Sequence, residues 1–207
     1  MNGMVRKELY LFRVIGKSYL LVLGIFIILT LTGLYQASFA GSMIVLLLTM
    51  APVTTCSYDE LAGWDKFAAA TPAGRAGIVK GKYIFALIMA VLSLVLILAV
   101  NGALILLGRG ESEIGTLSQT VGLISFGLLI LSILLPLTFR FGAQKSRVLM
   151  ILVMAALVSA VGAMLLIGGK VTGVNLSSLL FLAPVAAVAA MAVSYFISKR
   201  IYSKKEL

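Results

Sequence analysis

Residues Tyr58 to Tyr83 read YDELAGWDKFAAATPAGRAGIVKGKY, a polar island of about 26 residues in an otherwise apolar chain. It holds three of the seven acidic residues (Asp59, Glu60 and Asp65), four basic ones and the only Trp. It is too long and too polar to cross a bilayer, whereas the sequence on either side of it is built of apolar runs long enough to do so. How the island is read therefore decides how the flanking runs are oriented and what they do.

The surrounding composition is that of an integral membrane protein. Of 207 residues 61% are hydrophobic and 12% charged, with a mean hydropathy of +1.14, too apolar to clothe a soluble domain. The basic N-terminal stretch runs into apolar sequence without a small-residue cleavage site, so no secretory signal is expected. The single Cys56 excludes an intrachain disulfide and reads as a packing residue. A net charge of +10 could suggest nucleic acid, but the basic residues fall in short blocks between apolar runs, the pattern of a topology signal, and no nucleic-acid partner is expected.

Working outward, residues 3–17 have apolar positions (Met4, Val5, Leu9, Phe12, Ile15) that share one helical face beside Arg6, Lys7, Arg13 and Lys17, the pattern of an interfacial helix. Residues 18–56 carry no charge. As one helix they would reach roughly 58 Å, about twice the hydrocarbon thickness, so they must fold back. The break at Gly33–Gly41 gives spans at 18–34 and 39–56. Beyond the island, spans are expected at 83–107, 117–139, 148–167 and 179–197, separated by 108–116, 140–147 and 168–178. The fold class is thus an all-α integral membrane protein with six transmembrane helices in a single transmembrane domain spanning 1–207. About 15 of the 17 Lys and Arg residues fall on the side holding both termini and the island, leaving only Arg109 and Lys170 opposite, which places the termini and residues 57–82 in the cytosol.

Several chemistries are excluded. There is no His, so imidazole-dependent triads and His metal sites are absent. All seven acidic residues fall outside the expected spans, so no intramembrane carboxylate is expected to couple transport to an ion gradient. A P-loop requires G-x-x-x-x-G-K-[ST]. Gly81-Lys82 is followed by Tyr83 and preceded by Ala76 at the first Gly position, and Gly169-Lys170 is followed by Val171, with Met164 at that position. The chain is not expected to be an enzyme, to bind a metal or to hold a cofactor; energy for transport would come from a partner.

Within the island, Ser57-x-x-Glu60 has the form of a capping box, followed by Leu61, Trp64, Phe67 and Ala68 on one helical face. Pro72 would end that helix and open a second piece over 73–82. An aromatic and charged surface of this kind suits a protein contact. By pattern alone, an interfacial helix with Trp64 and Phe67 in lipid is an equal reading.

The run Asp59-Glu60…Gly63-Trp64-Asp65-Lys66-Phe67…Pro72…Arg75…Val79…Lys82-Tyr83 resembles the short, six-span permeases of type-2 ABC exporters, and among them the branch that includes the phenol-soluble-modulin exporter permeases of staphylococci. The resemblance implies a bacterial plasma-membrane protein working as a homodimer, or as a pair of related permeases, with two cytosolic P-loop ATPase subunits that hold the ATP and Mg. It also implies that the island is the coupling helix, with Asp59, Glu60, Trp64, Asp65, Lys66, Phe67 and Pro72 docking the ATPase. The stretch 168–178 is shorter than the outer elements of larger members. The expected function is export of amphipathic or hydrophobic cargo, such as cytolytic or antimicrobial peptides. The alternative is a non-transporting scaffold or sensor that uses the island to hold another partner.

Overall fold

The computed structural model describes residues 2–71, 74–109, 113–146, 148, 151, 152 and 176–204. These form α1 (Asn2–Leu31), α2 (Ala37–Leu61), the short α3 (Trp64–Ala69), α4 (Gly74–Leu106), α5 (Glu113–Phe141) and α6 (Leu176–Ser203). All but α3 are long and apolar enough to cross a membrane, giving five candidate spans among the described residues. The fifth of the six expected spans, 148–167, apart from residues 148, 151 and 152, and most of the loop 168–178 lie outside the described residues.

Helix α4 is the axis of the bundle and packs on α1, α2, α5 and α6, while α2 also contacts α1 and α5. Its buried positions Val79, Lys82, Ala86, Met89, Ser93, Ile97, Val100 and Leu104 recur every three or four residues, one continuous helical stripe. Two cores flank it. Leu23, Ile44, Leu48, Phe85, Met89 and Ile97 join α1, α2 and α4; Val79, Tyr83, Leu131, Leu135, Phe139, Met191 and Tyr202 join α4, α5 and α6. Outward residues such as Leu20, Ile28, Val91, Val95 and Val185 are exposed, the apolar surface a bilayer would cover. Close approach depends on glycine. A Cβ on Gly127 of α5 would stand 2.6 Å from Val45 Cγ1 of α2, and one on Gly41 of α2 2.9 Å from Leu123 Cδ1 of α5, the small-residue contact of membrane helices.

Among the boundaries that differ from the sequence expectations, three bear on the island and the end of the bundle that holds it. Helix α1 runs unbroken through Lys17–Ser18, so the interfacial helix 3–17 and the span 18–34 form one rod of 30 residues, roughly 45 Å and longer than the hydrocarbon layer. It turns at residues 32–36, where Gly33 takes φ +86°. Helix α2 continues past 56 to Leu61. Ser57 is inside it, donating to the Val53 carbonyl at 3.2 Å, so the capping box does not form. Helix α4 starts at Gly74 rather than near 83. The stretch outside the long helices thus shrinks from 57–82 to 62–73. The polar residues at its ends extend the spans because a helix needs no apolar side chain to continue, only its backbone bonds.

Candidate functional site

One end of the bundle gathers the start of α1, the end of α2, α3, the start of α4 and the ends of α5 and α6. Gly63, in the left-handed region at φ +60°, stops α2 as a C-terminal glycine does, and the chain turns into α3. The six residues of α3 have two faces. Ala68 is fully buried against Ile78, Val79 and Tyr83, with Trp64 packed half-buried beside it. Lys66 and Phe67 face outward, Phe67 64% exposed, and Leu61 at the end of α2 is 84% exposed. The expected shared face of Leu61, Trp64, Phe67 and Ala68 is therefore split: Trp64 and Ala68 anchor, Leu61 and Phe67 present. The Trp64 and Phe67 rings remain in contact, with centroids 5.3 Å apart.

Directly beneath α3 lies a feature the sequence reading missed. Glu8 of α1, Asp59 of α2 and Lys82 of α4 are each buried, and with Lys7 they form a neutral quartet. Lys82 Nζ lies 2.9 Å from Glu8 Oε2 and 2.6 Å from Asp59 Oδ2, and donates to Thr55 Oγ1 at 3.1 Å. Lys7 Nζ bonds Glu8 Oε1 at 2.9 Å and also Asp59 Oδ1. Three oxygens thus surround the Lys82 ammonium: Glu8 Oε2 and Thr55 Oγ1 accept hydrogen bonds from it, and Asp59 Oδ2 is an ion-pair contact that accepts no hydrogen bond. All seven acidic residues were expected outside the spans, but Glu8 and Asp59 lie within α1 and α2, two of the five candidate spans. Glu8, Asp59 and Lys82 occupy the buried stripes of their helices, and desolvated charges require this pairing.

The quartet is a joint rather than a binding site. The void beside it, lined by Cys56, Asp59, Ile78, Lys82 and Phe139, measures about 10 Å³, no more than one water. Both carboxylates are already matched by lysines, leaving no donor set for a cation. Cys56 itself is buried with Val53, Leu134 and Ala143.

Four contacts tie the region around α3 to the rest. Lys7 of α1 sits 5.2 Å over the Trp64 ring, a cation–π contact. The Glu60 carboxylate accepts the Ala143 N–H at 2.9 and 3.0 Å, capping the helical residues 143–146 that follow α5. Gly142 makes room for it at φ +85°. Arg75 Nη1 donates to the Ser203 carbonyl at the end of α6 at 2.6 Å, where a cation is favoured. Tyr83 bonds Ser194 and Ser198 of α6 at 2.6 and 2.8 Å.

Of the residues expected to dock a partner, Lys66 and Phe67 are exposed and adjacent. Trp64 supports them from inside, Glu60 braces Ala143, and Asp59 points into the quartet with 4% exposure, away from any docking surface. Its burial follows from α2 continuing as a helix: Thr55 and Asp59 extend the buried stripe of Ile44, Leu48 and Pro52. The backbone of Asp65 belongs to α3; its side chain and Pro72 lie outside what the structure describes.

A family profile described as an ABC-2 family transporter protein matches residues 3–203. No curated protein and no solved structure matches the chain at a significant level.

Proposed function

The chain belongs to the ABC-2 transporter family, and on that premise we propose that it is the membrane permease subunit of an ATP-driven exporter whose separate P-loop ATPase subunits seat on α3. The observation that carries this reading is the two-faced α3. Lys66 and Phe67 offer an exposed aromatic and cationic knob, while Trp64, Ala68 and the quartet below fix that knob to α1, α2 and α4. An exposed apolar ring flanked by charge is what a partner groove recognises, and a rigidly anchored one passes displacement on rather than absorbing it. A push on α3 reaches α1 through Lys7; α2 and α4, on which α3 packs, carry it to residues 143–146 through Glu60 and to α6 through Arg75. ATP-driven closure of the ATPases would shift the bundle only if docking favours one of its states, so the contacts at Lys66 and Phe67 carry the coupling.

In this reading the basic end is cytosolic, the working unit is a pair of permeases, and the cargo is amphipathic or hydrophobic, such as cytolytic or antimicrobial peptides. The test is copurification. The chain in detergent should retain a P-loop ATPase expressed with it, and Phe67→Ala with Lys66→Glu should reduce retention by at least tenfold while the permease still elutes as a folded species. Full retention by that variant would overturn docking through α3. A partner without a P-loop would favour the scaffold or sensor instead.

A further inference from the structure

Away from α3, an open groove of about 470 Å³ runs between α4 and α6, within the range of about 300–1,000 Å³ typical of lipophilic ligand sites. Its chemistry is graded along its length. Leu87, Leu128, Val188 and Met191 line the apolar part, with Leu87 and Val188 exposed. Toward the basic end the lining becomes aromatic, with Tyr83, Tyr195 and Phe196, whose rings meet edge to face at centroid distances of 5.3 and 5.7 Å. At that end Lys80 lines the mouth. Lys199, one helical turn beyond Tyr195, continues the same face of α6. Both lysines are exposed, and among the described residues neither has a carboxylate partner.

We propose that this groove holds an acyl chain of an anionic phospholipid, with its phosphate between Lys80 and Lys199. Apolar wall, aromatic collar and paired cations follow the order of hydrocarbon, interface and headgroup along a bilayer. Basic positions between membrane helices on the positively charged side are where anionic headgroups gather. Seven residues separate Lys80 from Leu87, roughly 10 Å along the helix, so headgroup contact and the upper acyl chain fit one molecule. The lipid would cover the Tyr83–Ser194–Ser198 hydrogen bonds that join α4 to α6.

Native mass spectrometry of the detergent-solubilised chain, titrated with phosphatidylglycerol and phosphatidylcholine of equal chain length, tests this without reference to ATP hydrolysis. Wild type should retain phosphatidylglycerol preferentially, and Lys80→Gln with Lys199→Gln should cut that preference by roughly 5- to 25-fold, the attraction expected of one or two surface cations. Ala192→Trp, which fills the groove, should lower retention of both lipids. Equal retention of the two lipids by wild type, or an unchanged preference in the lysine variant, would overturn the proposal. So would conversion of a dimer to a monomer by Ala192→Trp with phosphatidylglycerol retention intact, which would assign the groove to a second copy. Stronger retention of a cationic amphipathic peptide than of the lipid would likewise overturn it.

Discussion

The Lys82 ammonium is enclosed by oxygens of Glu8, Asp59 and Thr55, contributed by two helices other than its own. Such a cluster adds little net stability, because desolvation offsets most of the Coulomb gain, but breaking it is costly. Lys82→Met leaves Glu8 and Asp59 sharing only the part-exposed Lys7 and should cost about 3–5 kcal/mol in a denaturant titration of the solubilised protein. Replacing Glu8, Asp59 and Lys82 together with Gln, Asn and Met should recover part of that loss, since Lys7 is exposed enough to reach water. Glu60 is a simpler case. Glu60→Ala removes the carboxylate that caps Ala143 and should cost about 1 kcal/mol in the same titration.

At the scale of helices, the contact between α2 and α5 is set by missing side chains. Gly127→Ala puts a methyl 2.6 Å from Val45 Cγ1 and 3.2 Å from Thr49 Cγ2. It should destabilise the protein by about 1–3 kcal/mol, with Gly127→Leu worse, read from the same titration. How legible these elements were depended on what each residue signalled. Apolar length alone marked the crossing helices, and Gly33 marked the first reversal. The start of α4 was hidden because Arg75, Lys80 and Lys82 read as a solvated segment. Yet Lys82 stands three residues after Val79 and four before Ala86, both buried, so its place on the inner stripe was available once α4 was extended to Gly74. The burial of Asp59 was hidden for the same reason: its spacing from Thr55 was helical, but its charge suggested water. The pairing of Glu8 with Lys82 across 74 residues had no local signal, since only tertiary packing brings those stripes together.

Across the whole molecule, α5 and α6 run parallel: Leu128 shares the groove with Val188 and Met191, and Phe139 meets Tyr202 at 5.3 Å between centroids. The six-span reading assigns the intervening return to 148–167. It predicts that a cysteine at Lys170, in a Cys56→Ser background, is labelled by an impermeant maleimide from outside the cell, and one at Lys204 only after permeabilisation. Labelling at position 170 only after permeabilisation would remove the crossing at 148–167.

The central claim is that α3 is the seat of an ATPase, and its exposed end allows a direct measurement. Cys56 is the only cysteine, so Ala70→Cys in a Cys56→Ser background carries one thiol at the exposed end of α3 and leaves Lys66 and Phe67 intact, and Leu34→Cys carries one at the opposite end of the bundle. With a short amine-to-thiol cross-linker in native membranes, Ala70→Cys should give a product containing both this chain and a P-loop ATPase, whereas Leu34→Cys should give none. Absence of that product from Ala70→Cys, in membranes where the ATPase still copurifies with the chain, would contradict the account.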